Sequence, residues 1–482
     1  MNKKMIRYIV GSIIMLEAAL LLLPILTAIV YGEWNTLRVF AGSALFCIVA
    51  GALLRGKKPE NTTIFSVEGY VSVALCWVAL SICGAIPLCV SGVLQNPFDA
   101  FFEIVSGFTT TGSSVMQSVE GAPRAILMWR SFSHWVGGMG VLVFMLALLP
   151  MAEPSSMHLM KAESPGPSVG KLVPKVRSTA KILYQIYFVL TVAMLACMIL
   201  TGCPLFDSIN LTFATAGTGG FGVLDSSAAE YGAATQWVMT IFMILFGVNF
   251  NVYFLFYVKR FKEGMKSEEA RAYLGIIASA VLLISVNIFY MVRNLELTVR
   301  QAAFQVASII TTTGFSSVDF DLWPEFSKGI LVLLMFCGAC AGSTGGGMKV
   351  SRLCIMAKTV MKELAFIIHP RNVRKTRFEG KTVEHEVLRS INVFLVAYLG
   401  IFVLSVMLIS LDNFDFATNF TAVAATLNNI GPGLAKVGPT QNFGIYSNFS
   451  KLVLAFDMLA GRLEIFPMLV PMIYLLRKKQ LS

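Results

Sequence analysis

Charged residues are scarce in this sequence, and hydrophobic residues take their place. Only 13% of the 482 residues are Asp, Glu, Lys or Arg, whereas 56% are hydrophobic. Soluble domains carry about a quarter charged residues, because an aqueous surface requires them. A soluble globular protein is therefore excluded, and an integral membrane protein is indicated.

Groups that could perform catalysis are also few. The four histidines, at positions 134, 158, 369 and 385, show no metal-ligand spacing, and the sequence contains no nucleophile motif and no phosphate-binding P-loop. An intramembrane protease would need Ser and His, or two Asp residues, facing each other in the bilayer. Asp457 has no second Asp at a comparable depth, so a membrane enzyme or a scaffold is the least favoured function.

Cysteine is uncommon, and most of the nine cysteines lie inside apolar stretches. Cys337 and Cys340 have a CxxC spacing, but a redox or zinc site would need polar, accessible surroundings. We therefore interpret the cysteines as small packing residues. The segment GTGGFG, Gly217 to Gly222, matches the dinucleotide-binding fingerprint but follows no strand, so a nucleotide site is not predicted here.

Long apolar runs, in contrast, continue through the whole chain. A helix needs about 20 apolar residues to cross a hydrocarbon core, and a chain in lipid must satisfy its own backbone polar groups. Ten runs predict ten transmembrane helices, at 6–31, 36–54, 69–92, 124–150, 182–202, 235–258, 272–292, 327–348, 390–411 and 449–476. The first run is too long for a signal peptide and contains Glu17, to which we assign no role.

The net charge of +11 is explained by topology and not by nucleic acid binding. Most Lys and Arg residues lie in the N-terminus, in the C-terminal tail and in the connections around 55–58, 161–181, 259–271 and 349–389. Because basic segments stay on the cytoplasmic side of a membrane, both termini are predicted to be cytoplasmic.

Four glycine-centred segments share one pattern. Their sequences are FEIVSGFTTTGSSV from Phe102, NLTFATAGTGGFGV from Asn210, ASIITTTGFSSVDF from Ala307 and AVAATLNNIGPGL from Ala422. The glycines that align are Gly112, Gly220, Gly314 and Gly431. A small residue stands six positions before each glycine and Thr or Asn two positions before it. Short segments at about 98–109, 206–217, 300–311 and 415–427 precede the glycines and can form half-helices only. The pattern predicts four units of helix, short helix, re-entrant turn and helix.

Four re-entrant turns in one chain are predicted to surround one axis. Exposed backbone at membrane depth is tolerated where it lines a water-filled path, and glycine lets carbonyl oxygens point inward. Rings of carbonyls and the C-terminal ends of short helices both favour a cation. The turns contain no Asp or Glu, which disfavours a divalent-cation filter. Asp225, Glu230, Asp319, Asp321 and Glu325 follow the turns and either attract cations or are solvated loop charges.

These segments, together with WRSFSHWVGGMG (129–140), GACAGSTGGGMK (338–349) and GRLEIFP (461–467), resemble the Trk/Ktr/HKT superfamily of potassium transporters across essentially the whole chain. The similarity is greatest to the membrane subunit of bacterial Trk-type potassium uptake systems. It implies an all-α membrane protein with ten transmembrane helices. The implied division is an N-terminal helix pair, 1–62, followed by four pore repeats around a central ion pore, 63–155, 156–264, 265–375 and 376–482.

The resemblance implies a potassium filter and no organic cofactor. Its metal-site residues are Thr110, Thr111, Gly112, Thr218, Gly219, Gly220, Thr312, Thr313, Gly314, Asn429, Ile430 and Gly431. Glycine at all four centres accompanies potassium selectivity in this family. The second and fourth segments depart from TTTG, which leaves the number of ion sites open.

The resemblance also implies a gate in the third repeat. The implied gate residues are Gly342, Ser343, Thr344, Gly345, Gly346, Gly347, Lys349 and Arg462. Independently of the family, three consecutive glycines are incompatible with a sturdy helix interior. A cation such as Arg462 inside an apolar span suggests a function, with an ion pair to Asp457 or Glu464 as the structural alternative.

Partners and localisation follow from the resemblance. A homodimer in the bacterial inner membrane is expected, docked to a cytoplasmic regulatory subunit that binds NAD or ATP/ADP. The loops 151–181 and 349–389 are docking candidates, while 369–381 could instead bind anionic lipid headgroups. A potassium-conducting pore is favoured, and a potassium symporter coupled to protons or sodium is the alternative.

Overall fold

The protein is built almost entirely from α-helices in the part of the chain that the computed structural model describes, residues 1–61, 63–140, 176–370 and 375–480. The helices are α1 (Lys3–Leu20), α2 (Leu22–Tyr31), α3 (Trp34–Arg55), α4 (Ser66–Val90), α5 (Pro97–Phe108), α6 (Arg124–Gly138), α7 (Val176–Leu200), α8 (Leu205–Gly217), α9 (Ala233–Phe246), α10 (Phe250–Tyr257), α11 (Phe261–Met265), α12 (Glu268–Val292), α13 (Leu295–Ile310), α14 (Glu325–Cys337), α15 (Val350–Ile368), α16 (His385–Ile409), α17 (Phe416–Leu427), α18 (Asn448–Arg462) and α19 (Phe466–Gln480). Two short strands, β1 (Arg377–Phe378) and β2 (Lys381–Thr382), form an antiparallel hairpin.

Six helical segments of the described chain are long and apolar enough to cross a membrane. They are Lys3–Tyr31, which joins α1 and α2, and Trp34–Arg55, Ser66–Val90, Lys181–Leu200, Glu268–Val292 and His385–Asp412. Each corresponds to a predicted span, and together they make this a multi-pass membrane protein.

Four times, a long helix is followed by a helix of only 12 to 16 residues. The long helices are α4, α7, α12 and α16, and the short ones are α5, α8, α13 and α17. Side chains of Asn96, Asn294 and Asp415 cap three of the short helices by accepting a hydrogen bond from a backbone N–H group in the first turn. The short helices coincide with the segments that the sequence predicts to be half-helices.

The predicted spans 235–258, 327–348 and 449–476 are not continuous helices, and a break was predicted only in the span 327–348, at the glycine-rich residues 342–347. The first bends by 86° between α9 and α10, at residues 247–249. The second ends at Cys337, and the chain remains non-helical until Val350. The third is interrupted after Arg462, where Glu464 and Ile465 have positive φ angles of 56° and 70°. The span 124–150 is described only to residue 140, with α6 ending at Gly138.

The connection 349–389, predicted to be a loop, also contains regular structure. Helix α15 occupies its first half, and the β1–β2 hairpin lies in its second half. Lys358 of α15 joins the hairpin to α12, because its ammonium group donates to a carboxylate oxygen of Glu268 and to the backbone carbonyl of Arg377. Most of the other docking candidate, 151–181, lies outside the described residues.

Glycines on the second helices allow close packing under the short helices. A Cβ atom at Gly137 of α6 would overlap the carbonyl oxygen of Phe108, the last residue of α5. A Cβ atom at Gly461 of α18 would overlap the carbonyl oxygen of Leu427, the last residue of α17. Small residues permit this backbone-to-backbone contact between membrane helices. The contacts fix the position of the glycine-centred segments, which begin where the short helices end.

Candidate functional site

The four short helices end in the same backbone motif. The backbone N–H groups of Thr111, Gly219, Thr313 and Ile430 donate to carbonyl oxygens five residues earlier, at distances between 2.8 and 2.9 Å. The acceptors are Ser106, Ala214, Ser308 and Ala425, the small residues that the alignment places six positions before each glycine. A second bond closes the motif one residue inside, as in the donation from Thr110 to Gly107. This pair of bonds is a Schellman motif, which satisfies carbonyls at a helix end.

The residue at the turn of each motif has a left-handed backbone although it is not glycine. The φ angles of Thr110, Thr218, Thr312 and Asn429 lie between 56° and 58°. Two residues later, the φ angles of Gly112, Gly220, Gly314 and Gly431 are 82°, 82°, 89° and 106°. Residues other than Gly, Asn and Asp rarely adopt such backbone angles. The four segments therefore share one unusual backbone path, and glycine is required at its outer end.

The four segments contact one another in a closed ring. A Cβ atom at Gly112 would overlap the carbonyl oxygen of Gly219, and one at Gly220 would overlap that of Thr313. A Cβ atom at Gly314 would likewise overlap the carbonyl oxygen of Ile430. The ring closes at Gly431, where a Cβ atom would lie 2.9 Å from the carbonyl oxygen of Thr111. The structure thus brings together all four segments that the sequence predicts to meet.

The side of this ring that carries the four glycines faces a cavity of about 180 Å³. Residues of all four segments line it, including the four ring glycines, as do the side chains of Arg130 and Asp225. Asp225 also accepts hydrogen bonds of 2.6 Å from the Ser118 hydroxyl and the Val119 backbone. Among the acidic residues predicted at the mouth, Glu325 instead pairs with Lys328. The cavity is bounded by the ring and by the loops that follow the first, second and fourth segments.

The departures from the TTTG sequence have structural causes. In the second segment, Gly219 replaces the third threonine because the ring of His134 fills that space, and a Cβ atom at Gly219 would overlap it. One nitrogen of His134 bonds the Gly107 carbonyl at 2.7 Å, and the other accepts from the Phe221 backbone at 3.3 Å. In the fourth segment, the amide of Asn429 donates to the Thr111 hydroxyl and to the Met458 carbonyl, both at 2.9 Å. Neighbouring helices are thereby tied to the ring.

The glycine-rich loop 338–349 lies directly against the side of the ring at which the short helices end. The backbone N–H of Gly346 donates to the Thr312 hydroxyl at 2.7 Å. A Cβ atom at Gly345 would lie 2.9 Å from the Thr311 carbonyl oxygen, and one at Gly346 would lie 2.6 Å from that of Asn428. The consecutive glycines therefore remove side chains where the loop packs against the third and fourth segments. All predicted gate residues from Gly342 to Lys349 belong to this loop.

Two buried cations hold the loop. The ammonium group of Lys349 donates to the carbonyls of Gly345 and Gly346. The guanidinium group of Arg462 donates to the Thr344 carbonyl at 2.7 Å, and to the carbonyls of Gly137 and Gly138 at 2.5 and 2.6 Å. Arg462 thus connects the loop with the end of α6. Glu464, one of its two anticipated ion-pair partners, forms a salt bridge with Arg352, and Asp457 accepts from the Ser405 hydroxyl at 2.7 Å.

Glu269, which sequence reasoning missed, fastens both ends of the same loop. One carboxylate oxygen accepts from the backbone N–H of Ala341 at 2.7 Å and from that of Ser351 at 3.1 Å. The other oxygen accepts from the side-chain amide of Asn249 at 3.1 Å, at the bend between α9 and α10. Glu269 precedes an apolar run and resembles an ordinary loop charge, so the sequence gives no sign of this role. Asn249, beside Gly247 inside an apolar span, was a detectable signal.

A buried ion pair between Glu103 and Arg130 supports the first segment. This pair was also not predicted from the sequence. The guanidinium group of Arg130 lies 2.7 Å from a carboxylate oxygen of Glu103, and both side chains are almost completely buried. Glu103 also accepts from the Val115 backbone at 2.9 Å, and Arg130 lies over the ring of Phe221, 4.0 Å from its centroid. Arg130 stands inside a predicted apolar span, so the sequence signal was the same as for Arg462.

Comparison with known proteins relates the whole of this arrangement to one family. The TrkH family model, described as a cation transport protein, matches residues 36–482. The Trk system potassium uptake protein TrkH of Salmonella typhimurium is 34% identical over 480 residues and 98% of each chain. The protein of the same name from Vibrio parahaemolyticus is 35% identical over 480 residues and 96% of each chain. The crystal structure of the potassium transporter TrkH from Vibrio parahaemolyticus superposes with a TM-score of 0.89, at 32% identity and 98% of each chain.

Proposed function

The chain belongs to the TrkH family of cation transport proteins, and we propose that it carries potassium into the cell across the inner membrane of a bacterium. Family membership confirms the resemblance inferred from the motifs, and the relatives are named as transport proteins rather than enzymes. The single observation that carries the proposal is the closed ring of four glycine-centred segments.

The ring acts as the selectivity filter in this proposal. Backbone carbonyls of Thr110, Thr218, Thr312, Asn429 and the two residues that follow each of them replace the hydration shell of potassium. Holding one non-glycine residue of each segment in a left-handed conformation costs free energy, and such strain is typical of functional sites. The absence of acidic residues in the four segments agrees with a monovalent ion.

The short helices assist the filter through their dipoles. Their C-terminal ends, at Phe108, Gly217, Ile310 and Leu427, carry partial negative charge, and each end directly precedes a filter segment. Potassium enters from the outer cavity, where Asp225 supplies negative charge. The positive-inside bias of the connections orients this cavity toward the outside and both chain termini toward the cytoplasm.

The loop 338–349 acts as the gate. It lies against the inner side of the third and fourth filter segments, and its contact with Thr312 is direct. The Arg462 guanidinium fixes the loop to α6 and places a positive charge beside the path, which repels cations. Because the loop is held by Lys349, Arg462 and Glu269, displacement requires a conformational change, and partners can control that change.

Partners are proposed from the family resemblance. The active assembly is a homodimer with a cytoplasmic regulatory subunit that binds NAD or ATP/ADP. Helix α15 and the β1–β2 hairpin belong to the basic connection that is the docking candidate, and α15 begins directly after the gate loop. Docking against α15 would therefore act on the gate through continuous chain.

The test is potassium flux through the purified full chain in liposomes. We expect a current that reverses at the potassium equilibrium potential and that is unaffected by imposed proton or sodium gradients. A reversal potential that moves with the proton or sodium gradient would establish the symporter instead. Equal permeation of sodium and potassium would contradict the filter, and no flux after addition of the regulatory subunit would contradict the transport function itself.

A further inference from the structure

Three side chains that have no part in the proposed pore meet inside the bundle formed by α1, α3 and α4. Glu17 lies on α1, Cys47 on α3 and Cys83 on α4, and a carboxylate oxygen and the two sulfur atoms all lie within 4.8 Å of one another. Glu17 and Cys47 are completely buried, and Cys83 is 6% exposed. These are three groups with ligand atoms converging on one point.

The carboxyl group of Glu17 has an unusual environment. Neither of its oxygens has a hydrogen-bond partner among the described residues, although both are buried. Burying a polar group without a hydrogen-bond partner destabilises the folded protein. Ile13 and Leu80, which are apolar and fully buried, belong to the same two helices as Glu17 and Cys83. An unpartnered carboxyl group next to two thiols in such a core calls for a ligand.

The helix packing leaves room for the carboxyl group and fixes its neighbours. Helices α1 and α3 touch through Gly11 and Gly51, where a Cβ atom at Gly51 would lie 2.9 Å from the Gly11 carbonyl oxygen. At Gly84 of α4, a Cβ atom would lie 2.9 Å from Oε1 of Glu17. Glycine therefore makes the space into which Glu17 extends, directly beside Cys83. The packing of the three helices therefore brings the three side chains together.

The geometry points to a buried binding site for zinc, or another thiophilic divalent ion, formed by Glu17, Cys47 and Cys83. Cysteine thiolates and carboxylates are common zinc ligands, whereas sulfur ligands disfavour potassium, a hard ion that prefers oxygen. On binding, Zn²⁺ displaces the protons of the two thiols to solvent, and with the carboxylate of Glu17 the three anionic ligands give the occupied site a net charge of −1. A carboxylate oxygen of Glu17 is the third ligand. This differs from the sequence-based interpretation of all cysteines as packing residues.

The role of such an ion would be structural. The two N-terminal helices, α1 and α3, would be bonded through the metal to α4, the first helix of the first pore repeat. Gly84 also contacts Ile104 and Phe108 of the short helix α5, since a Cβ atom there would lie 3.0 Å from each side chain. The metal site is therefore separated by one layer of side chains from α5, the short helix that precedes the first glycine-centred segment. Its proposed effect is on stability, and it stands whether or not the pore conducts potassium.

The first experiment uses the unmodified full chain in detergent. The protein is treated with a chelator, dialysed, incubated with Zn²⁺ or Cd²⁺ and dialysed again. We expect about one ion per chain by elemental analysis, a thiolate-to-cadmium charge-transfer absorption, and a higher Tm with zinc than with chelator, because a ligand of the native state stabilises it. Absence of a retained ion together with an unchanged Tm would overturn the proposal.

Substitutions then locate the ion. Cys47→Ser and Cys83→Ser should each abolish the charge-transfer absorption and the retained zinc, and Glu17→Gln should weaken zinc binding because an amide oxygen is a poorer zinc ligand than a carboxylate. Cys203→Ser removes another buried cysteine, on the segment before α8, and should leave one ion bound. Retention of zinc by both Cys47→Ser and Cys83→Ser would place the ion elsewhere and overturn the assignment. Where a variant does not fold, the measurements on the unmodified chain decide alone.

Discussion

The non-glycine residues with left-handed backbone show what the ring requires of single positions. A left-handed conformation costs a non-glycine residue about 1–2 kcal/mol, and Thr110, Thr218, Thr312 and Asn429 each adopt it. The Schellman bonds of the short helices offset part of this cost. At the outer position, however, a side chain would meet both an unfavourable φ angle and a carbonyl oxygen of the next segment. Threonine or asparagine is tolerated at the left-handed position that ends each short helix. Two residues later, only glycine fits.

Gly112→Ser should therefore reduce potassium selectivity. The new side chain would displace the carbonyl of Gly219, a proposed ligand, and the substituted residue would keep an unfavourable φ angle. We expect the potassium-to-sodium flux ratio in liposomes to fall about tenfold, which corresponds to about 1.4 kcal/mol of discrimination. Gly121→Ser is the matched control, since a Cβ atom at Gly121 has nothing within 4 Å. An unchanged ratio in Gly112→Ser would show that these carbonyls do not select the ion.

Arg462→Ala should increase basal potassium flux. The substitution removes a buried positive charge and its hydrogen bonds to the carbonyls of Thr344, Gly137 and Gly138. Hydrogen bonds to charged groups are worth about 1.5–3 kcal/mol each, so release of one such bond would raise the open fraction about tenfold. Flux without a regulatory subunit measures this, and the exposed Arg260→Ala is the control. Flux equal to or below that of the unmodified chain would rule out the gating role of Arg462.

The sequence could predict which residues form the candidate site but not how they are supported. The four segments were identified by a pattern that recurs four times: a small residue six positions before a glycine, and Thr or Asn two positions before it. The ring of His134, which excludes a side chain at Gly219, comes from a different segment of the chain. Glu269 reaches its partners only because α12, α15 and the bend at Asn249 meet in three dimensions. Such contacts join distant positions and leave no local pattern.

At the scale of elements, the second helices of the repeats were the part of the fold least accessible from sequence. Apolar composition is the same on both sides of each break, so the runs at 235–258 and 449–476 appear continuous. The breaks depend on local backbone angles and on packing: a Cβ atom at Gly247 would overlap the Tyr273 hydroxyl, and Glu464 and Ile465 adopt positive φ angles. The break in the third repeat was predictable because three consecutive glycines mark it, although it extends from 338 to 349.

Glu269→Ala should loosen the whole of the proposed gate loop, 338–349. The change leaves the backbone N–H groups of Ala341 and Ser351 without their acceptor, so both ends of the loop lose an anchor. We expect basal potassium flux to rise about tenfold, since one such charge-assisted bond is worth about 1.5–3 kcal/mol. Flux is compared in liposomes together with the Tm of each preparation, which separates gate opening from general unfolding.

The neighbouring Glu268→Ala provides the control for this prediction. Glu268 pairs with Lys358 at 2.6 Å, and both side chains are partly exposed, at 34% and 43%. Exposed ion pairs contribute about 0–1 kcal/mol, so basal flux should stay close to that of the unmodified chain. If Glu268→Ala raised flux as strongly as Glu269→Ala, the effect would belong to the charge of this helix end and not to the loop anchor.

At the scale of the whole molecule, the sequence predicts four units but not their order in space. The ring order follows the chain order, because each glycine contacts the segment of the next repeat and the fourth contacts the first. The ring is not exactly symmetric. At the three forward contacts a Cβ atom would overlap the neighbouring carbonyl, whereas at the closing contact, from Gly431 to Thr111, the separation would be 2.9 Å. The last joint of the ring is therefore the loosest.

This asymmetry predicts that one substitution has different effects at two equivalent positions. Alanine at Gly314 and at Gly431 meets a similar backbone penalty, because both φ angles are positive, at 89° and 106°. At Gly314 the new methyl group would overlap the Ile430 carbonyl oxygen, whereas at Gly431 it would lie 2.9 Å from the Thr111 carbonyl oxygen, which is a milder clash. Gly314→Ala should therefore lose more potassium flux and selectivity than Gly431→Ala, by about tenfold if the clash costs about 1.4 kcal/mol. Equal losses at the two positions would mean that backbone strain alone, and not contact around the ring, limits the filter.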